Sequence, residues 1–185
     1  MYHPTVRINR DKTKLMFVER ANKLPRTNEL SDLDTVTSFV YLGSLIRNDG
    51  DCEAEVVRRG QMAKAAVSHM ERIWKNRGVT RTTKVRLMRA LVFSIFLYAS
   101  ETWVLKARIR SRIDAFEMWC WRRMLGIPWT ARRTNASILA ELGIKTRLSS
   151  VCMQRLLSYF GHVARREPDK FRKTSGRRAR GGQKE

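Results

Sequence analysis

The side chains here that could do chemistry are cations and aromatic rings more than acids and nucleophiles. Arg58, Arg59, Lys64, Arg72 and Lys75 fall in one stretch, Arg81, Lys84, Arg86 and Arg89 in the next, and Arg122 and Arg123 in a third. Acids are scarce beside them, whereas a solvated face usually mixes both signs. The pattern therefore points to a surface that tracks phosphates. Trp74, Trp103, Trp119, Trp121 and Trp129 stand among these cations, and an indole can either pack or stack on a base. Trp119 and Trp121 are two residues apart, ~200° around a helix, so one of them must face a second surface. That one is the better stacking candidate.

Catalytic signatures are missing. The chain has no HExxH, no GxxxxGK[ST] and no GxSxG. Two-metal phosphoryl transfer needs clustered carboxylates. The close acidic pairs are Asp32/Asp34 in a polar stretch, and Asp49/Asp51 and Glu53/Glu55 at a turn and a helix start, where capping explains them. His69 and His162 have no second ligand at metal spacing. Cys52, Cys120 and Cys152 are far apart with no CxxC, which argues against a zinc knuckle, and their odd number suits a reducing compartment. No metal and no cofactor is expected. Asn135-Ala136-Ser137 fits a glycosylation pattern, and reads instead as a helix cap.

Composition agrees with a polyanionic partner. Lys and Arg number 38 against 17 Asp and Glu, for a formal charge of +21. Nucleic acid, RNA or DNA, is the first expected partner, contacted mainly through phosphates, and an anionic membrane surface the second. Residues 51–100 and 101–150 each carry ten basic against four acidic side chains, so the charge is spread through the helical part and is not confined to a tail. With 43% hydrophobic residues the chain can build a core. The longest near-continuous apolar run, Ala90 to Ala99, is about half the ~20 residues of a membrane helix, and no signal peptide is visible. An intracellular site, nuclear or cytoplasmic, without a membrane partner, is expected.

The elements that must position these residues follow from periodicity. TVRI (5–8) and KLMFV (14–18) suggest a hairpin turning through NRDK. A polar connection over 19–36 leads to one strand over 37–46, interrupted by Gly43, and RNDGD (47–51) is turn chemistry. Val56, Ala63, Val67, Met70 and Trp74 recur at helical spacing, predicting a single helix from Glu53 to Asn76, capped by Asp51 and closed by Gly78. A second helix, capped by Thr80 or Thr82, runs to Trp103 and turns apolar all round. A third carries Ile113, Phe116, Cys120 and Met124 to Gly126. A short helix capped by Asn135 stops at Gly143, and a last one spans 147–166. The fold class is α+β, mainly α: small N-terminal edge strands, a helical bundle, and a basic Gly-rich tail from 168 expected to be disordered.

INRDKTKLMFV (8–18) followed by FVYLG (39–43) resembles two consecutive motifs of reverse transcriptases from non-LTR, LINE-like retrotransposons. The first is similar to a late-palm Asn…Lys-Thr-Lys motif, the second to the primer grip. The likeness continues through residues 112–143 and through QRLLSYFGHVARR (154–166). The resemblance implies late-palm strands and a primer grip over 1–50, a thumb over 51–126, a post-thumb region over 127–167 and a tail over 168–185. It implies that Lys12, or Lys14 beside it, helps protonate the leaving pyrophosphate. It maps the primer grip onto Phe39, Tyr41, Leu42 and Gly43, with glycine allowing close backbone approach to a strand. In that family the Tyr-x-Asp-Asp strand precedes the first motif, so the resemblance implies a C-terminal fragment without catalytic carboxylates. Such a fragment binds an RNA–DNA duplex without polymerising alone, and divalent metal is expected only in the full-length enzyme. Two other readings stay open: an independent basic helical nucleic-acid-binding module, and a non-functional retroelement-derived reading frame.

Overall fold

The computed structural model describes Asn9, residues 13–18 and residues 33–166, apart from the Trp129 side chain. The expected strand at 5–8, Lys12 and the tail from 168 lie outside the described residues. Among the described residues four short strands precede the helices: β1 (Lys14–Leu15), β2 (Asp34–Thr35), β3 (Ser38–Tyr41) and β4 (Ser44–Arg47). The helices are α1 (Glu53–His69), α2 (Glu71–Lys75), α3 (Arg81–Leu87), α4 (Phe93–Phe96), α5 (Ala107–Leu125), α6 (Asn135–Glu141) and α7 (Leu148–Arg166). A π turn, Met88–Val92, joins α3 to α4. The α+β, mainly α, class expected from the sequence is the one observed.

The strands depart from expectation. β1 pairs in parallel with β2, inside the stretch expected to be a plain connection. The 37–46 segment is a hairpin, not one strand: β3 and β4 pair antiparallel with Tyr41 opposite Ser44. Leu42 and Gly43 form the two-residue turn, with φ of 46° and 78°. Positive φ at both positions matches the right-handed twist of the flanking strands. Gly43 is therefore the second turn residue of a hairpin. A Cβ there would meet nothing nearer than 3.9 Å, so backbone conformation is the constraint, not space. Leu42 adopts the same left-handed region although its Cβ makes that region costly.

The helices end where tertiary contacts end them. α1 stops at Met70, and the turn there brings Trp74 beneath its end, where Nε1 donates to Val67 O at 2.8 Å. The helix expected to reach Trp103 stops at Phe96. Arg155 of α7 donates to Leu97 O at 2.9 Å, and Ala99 turns left-handed at φ 57°, which drives Trp103 into the core. Thr80 caps α3, accepting from Thr83 N. Thr134, not Asn135, caps α6, because its hydroxyl accepts from Ser137 N. Cys52, not Asp51, stands at the N-cap of α1 and gives no side-chain cap, although Asp51 Oδ1 accepts from Glu53 N at 3.3 Å and Glu53 and Glu55 supply the expected acidic first turn.

The core runs through α1, α4, α5 and the first turn of α7. Its spine is aromatic: Phe93 meets Trp121 edge-on at 5.1 Å, Phe96 stacks on Phe116 at 4.4 Å, and Trp103 meets Phe96 at 5.4 Å. Such pairs add about 0.5–1.5 kcal/mol each beyond buried area. Glu117 lies within this core, fully buried. Arg147 Nε donates to it at 2.7 Å, which fastens the start of α7 to α5.

The hairpin is fastened by a different carboxylate. Glu55 is 2% exposed and receives Arg58 Nε at 2.7 Å and Arg59 Nε at 2.9 Å. Both guanidiniums continue to the Gly43 carbonyl, Arg58 at 2.6 Å and Arg59 beside it. Arg59, 6% exposed, also lies over the Tyr98 ring at 4.3 Å, and the Tyr98 hydroxyl donates to Leu42 O at 2.7 Å. An isolated two-stranded hairpin is marginal in water, so these bonds at its tip are what hold it to the helices.

Two substitutions test the network and the turn. Glu55→Gln leaves Arg59 buried without a countercharge and should cost about 3 kcal/mol, seen in a thermal melt together with faster amide exchange in residues 38–47. Burial pushes the Glu55 carboxyl up, but hydrogen bonds from Arg58 and Arg59 outweigh it and hold the carboxyl below its usual 4.5. Its stabilisation is therefore complete above that value and is lost as pH falls through the lower folded value; Glu55→Gln should flatten this part of the acid melt. Leu42→Asn relieves the left-handed cost and should raise stability by about 0.5–1 kcal/mol, a rise of about 1–4 °C in Tm. A lowered Tm would mean that the turn does not carry this cost.

Candidate nucleic-acid interface

The hairpin presents apolar side chains outward. Phe39, Val40, Tyr41 and Leu42 are all exposed, Leu42 to 75%. Because both faces of β3 are exposed, the described residues leave the strand uncovered. Behind the tip a groove of about 720 Å3 runs between the hairpin and residues 94–103, lined in part by Tyr41, Leu42, Tyr98 and Arg155.

The structure separates the sequence-predicted cations by what they touch. Arg58 and Arg59 are committed to Glu55 and Gly43, with Arg59 buried. Lys75 and Arg123 share Glu71, at 3.0 and 3.4 Å. Arg81 pairs with Glu141 at 3.0 Å. Arg122 donates to Arg133 O at 2.6 Å and to Asn135 Oδ1 at 3.1 Å. Lys84 donates to Trp74 O at 2.7 Å. Lys64 lies 5.1 Å from the Trp119 ring centroid. Arg72, Arg86 and Arg89 are exposed and make no ion pair among the described residues. Lys14 pairs with Asp34 at 2.6 Å, a contact that holds the Asp34 carboxyl below its ordinary range.

The remaining candidates divide in the same way. Trp74, Trp103 and Trp121 are buried. Trp119 is half-buried and faces α1 through Lys64, so the two-residue spacing sends it to a second surface as the helix geometry requires. All three cysteines are buried and free of disulfide bonds. Burial pushes the Cys152 thiol up to about 12 and those of Cys52 and Cys120 upward too, which keeps them protonated and poor nucleophiles. His69 and His162 are exposed. Among the described residues no group of three His, Cys, Asp or Glu side chains stands close enough to hold a metal ion. No helix among them is long and apolar enough to cross a membrane.

Sequence reasoning missed Tyr98, Glu55 and Arg155 as organisers. The Glu55, Arg58, Arg59 spacing of i, i+3 and i+4 carries a signal of side chains on one helix face. Tyr98, a lone hydroxyl in an apolar run, carries another. Arg155 has no local signal, because its partner carbonyl lies 58 residues away.

No protein-family model matches this chain, and no solved structure matches it. The chain spans less than two thirds of the length of the curated relative it matches. That similarity, 26% identity over 174 residues, covers 89% of this chain and 61% of the relative, an uncharacterized transposon-derived protein of Caenorhabditis elegans.

Proposed function

We propose that this chain is a part of a non-LTR retrotransposon reverse transcriptase, and that its own task is to hold a nucleic-acid backbone rather than to catalyse. The observation that carries this reading is the hairpin: its tip carbonyls are tied inward to α1 and Tyr98 while Phe39, Tyr41 and Leu42 stay outward. An exposed leucine in a left-handed turn is a cost that folding alone leaves unexplained, and such outliers cluster where a ligand is gripped. Arg72, Arg86 and Arg89 supply cations free to meet phosphates. The motif order in the sequence and the likeness to a transposon-derived protein support the same origin. On this reading the carboxylates that bind catalytic metal belong to another part of a longer protein, and this chain positions the primer strand and duplex without a role in bond making.

A second reading has its own support. The aromatic core closes within residues 52–152, as an independent helical nucleic-acid-binding module requires. The two differ in cooperativity: the module unfolds in one transition that includes β3 and β4, whereas the fragment loses the hairpin first.

The chain should bind an RNA–DNA hybrid at low salt, with log affinity falling linearly against log salt concentration. Replacing Arg72, Arg86 and Arg89 together by Gln should lower that slope by roughly three, about one per lost phosphate contact. Gel-shift titration measures both. No binding at low salt, or binding indifferent to salt, would remove nucleic-acid holding from the chain's functions.

A further inference from the structure

Between α1 and α5 lies an open groove of about 400 Å3. Its floor is apolar, formed by Gly60, Phe96 and Phe116, and one wall is the Trp119 indole. Its rim carries Gln61, Lys64 and Arg112, and no carboxylate lines it. Arg112 pairs with Glu53 at 2.7 Å, an acid shared with Arg108, and keeps 44% of its side chain exposed. Trp119 thus differs from Trp74, Trp103 and Trp121, which are sealed in the core.

We propose that this groove takes one unpaired nucleobase, stacked on Trp119, with the adjoining phosphates held by Lys64 and Arg112. The inference rests on the reading of the chain as a nucleic-acid-binding protein and names a contact within it. A π-face, an apolar floor and two flanking cations complement a base with its phosphates. No carboxylate lines the groove, and the Glu53 carboxylate behind Arg112 is shared with Arg108. A paired base keeps both its faces inside the duplex stack, so the occupant is a single-stranded or displaced nucleotide. Lys64 now lies over the indole through an exposed cation–π contact, which is weaker than base stacking on an aromatic side chain. Its flexible stem lets the ammonium exchange the ring for a phosphate. The Gln61 amide, at the rim, can donate to and accept from a base edge, and stacking makes the site tolerant of which base enters.

The test compares two short single-stranded DNA oligomers of equal length at low salt, oligo-thymidine and its abasic counterpart, which keep the same phosphates. The wild-type chain is expected to bind oligo-thymidine about tenfold more tightly, with quenching of tryptophan emission that the abasic oligomer does not produce. Trp119→Leu should bind both oligomers with the affinity of the abasic one. Trp119→Phe, which keeps a ring for packing, should recover part of the preference. Equal wild-type affinity for the two oligomers overturns the stacking site while leaving phosphate-held binding intact. Binding to neither overturns the site together with the function it rests on. Should Trp119→Leu fail to fold, the wild-type quenching difference and Trp119→Phe decide the matter.

Discussion

The Glu55 carboxylate sits between two guanidiniums that converge on the Gly43 carbonyl, and this one network couples the hairpin to the helices. Its strength comes from burial. A carboxylate removed from water needs a countercharge, and a buried arginine needs one too. Glu55 and Arg59 satisfy each other, Arg58 closes the second carboxylate oxygen, and one terminal nitrogen of each guanidinium donates to the Gly43 carbonyl. Tyr98 completes the arrangement from α4's end, carrying the Arg59 cation on its ring and donating to Leu42 O. The turn of the hairpin is thereby fixed to the helices, and its exposed strand faces remain to meet a partner.

The same economy of acids shapes the rest of the surface. Glu53 holds Arg108 and Arg112, Glu71 holds Lys75 and Arg123, and Glu141 holds Arg81 and Arg133. Asp114 and Glu117 both meet Arg147. Acids shared by two or more cations organise the packing of helices, although each exposed pair contributes little on its own. The positive excess that remains cannot be paired internally, so it stands at the surface as a field that favours polyanions. Positions such as Arg59 and Arg86, alike in sequence, thereby acquire opposite roles: the first is a buried strut and the second a solvent-facing cation.

Much of the helical plan was legible because helix signals are local. The apolar spacing of α5 and the glycine at its end marked an element that the structure reproduces to within a turn, and Ile113, Phe116, Cys120 and Met124 are all buried. The strands were less legible. A two-residue turn with leucine in its first position carries no Asn-Gly signal, so two strands resembled one. The end of α4 was hidden for another reason: Arg155 and Trp103, not a glycine or proline, stop that helix.

The amino-acid sequence by itself determined the helical class, the basic character, the apolar faces of α1 and α5, and the requirement that Trp119 and Trp121 face different ways. These follow from composition and from the 3.6-residue period, which involve near neighbours only. The tertiary structure decided which cations are struts and which are free, where α4 ends, and that Trp119 opens onto a groove. Those outcomes depend on partners distant in sequence, as Arg155 is from Leu97, and on desolvation, which exists only once the chain has closed around the groups concerned.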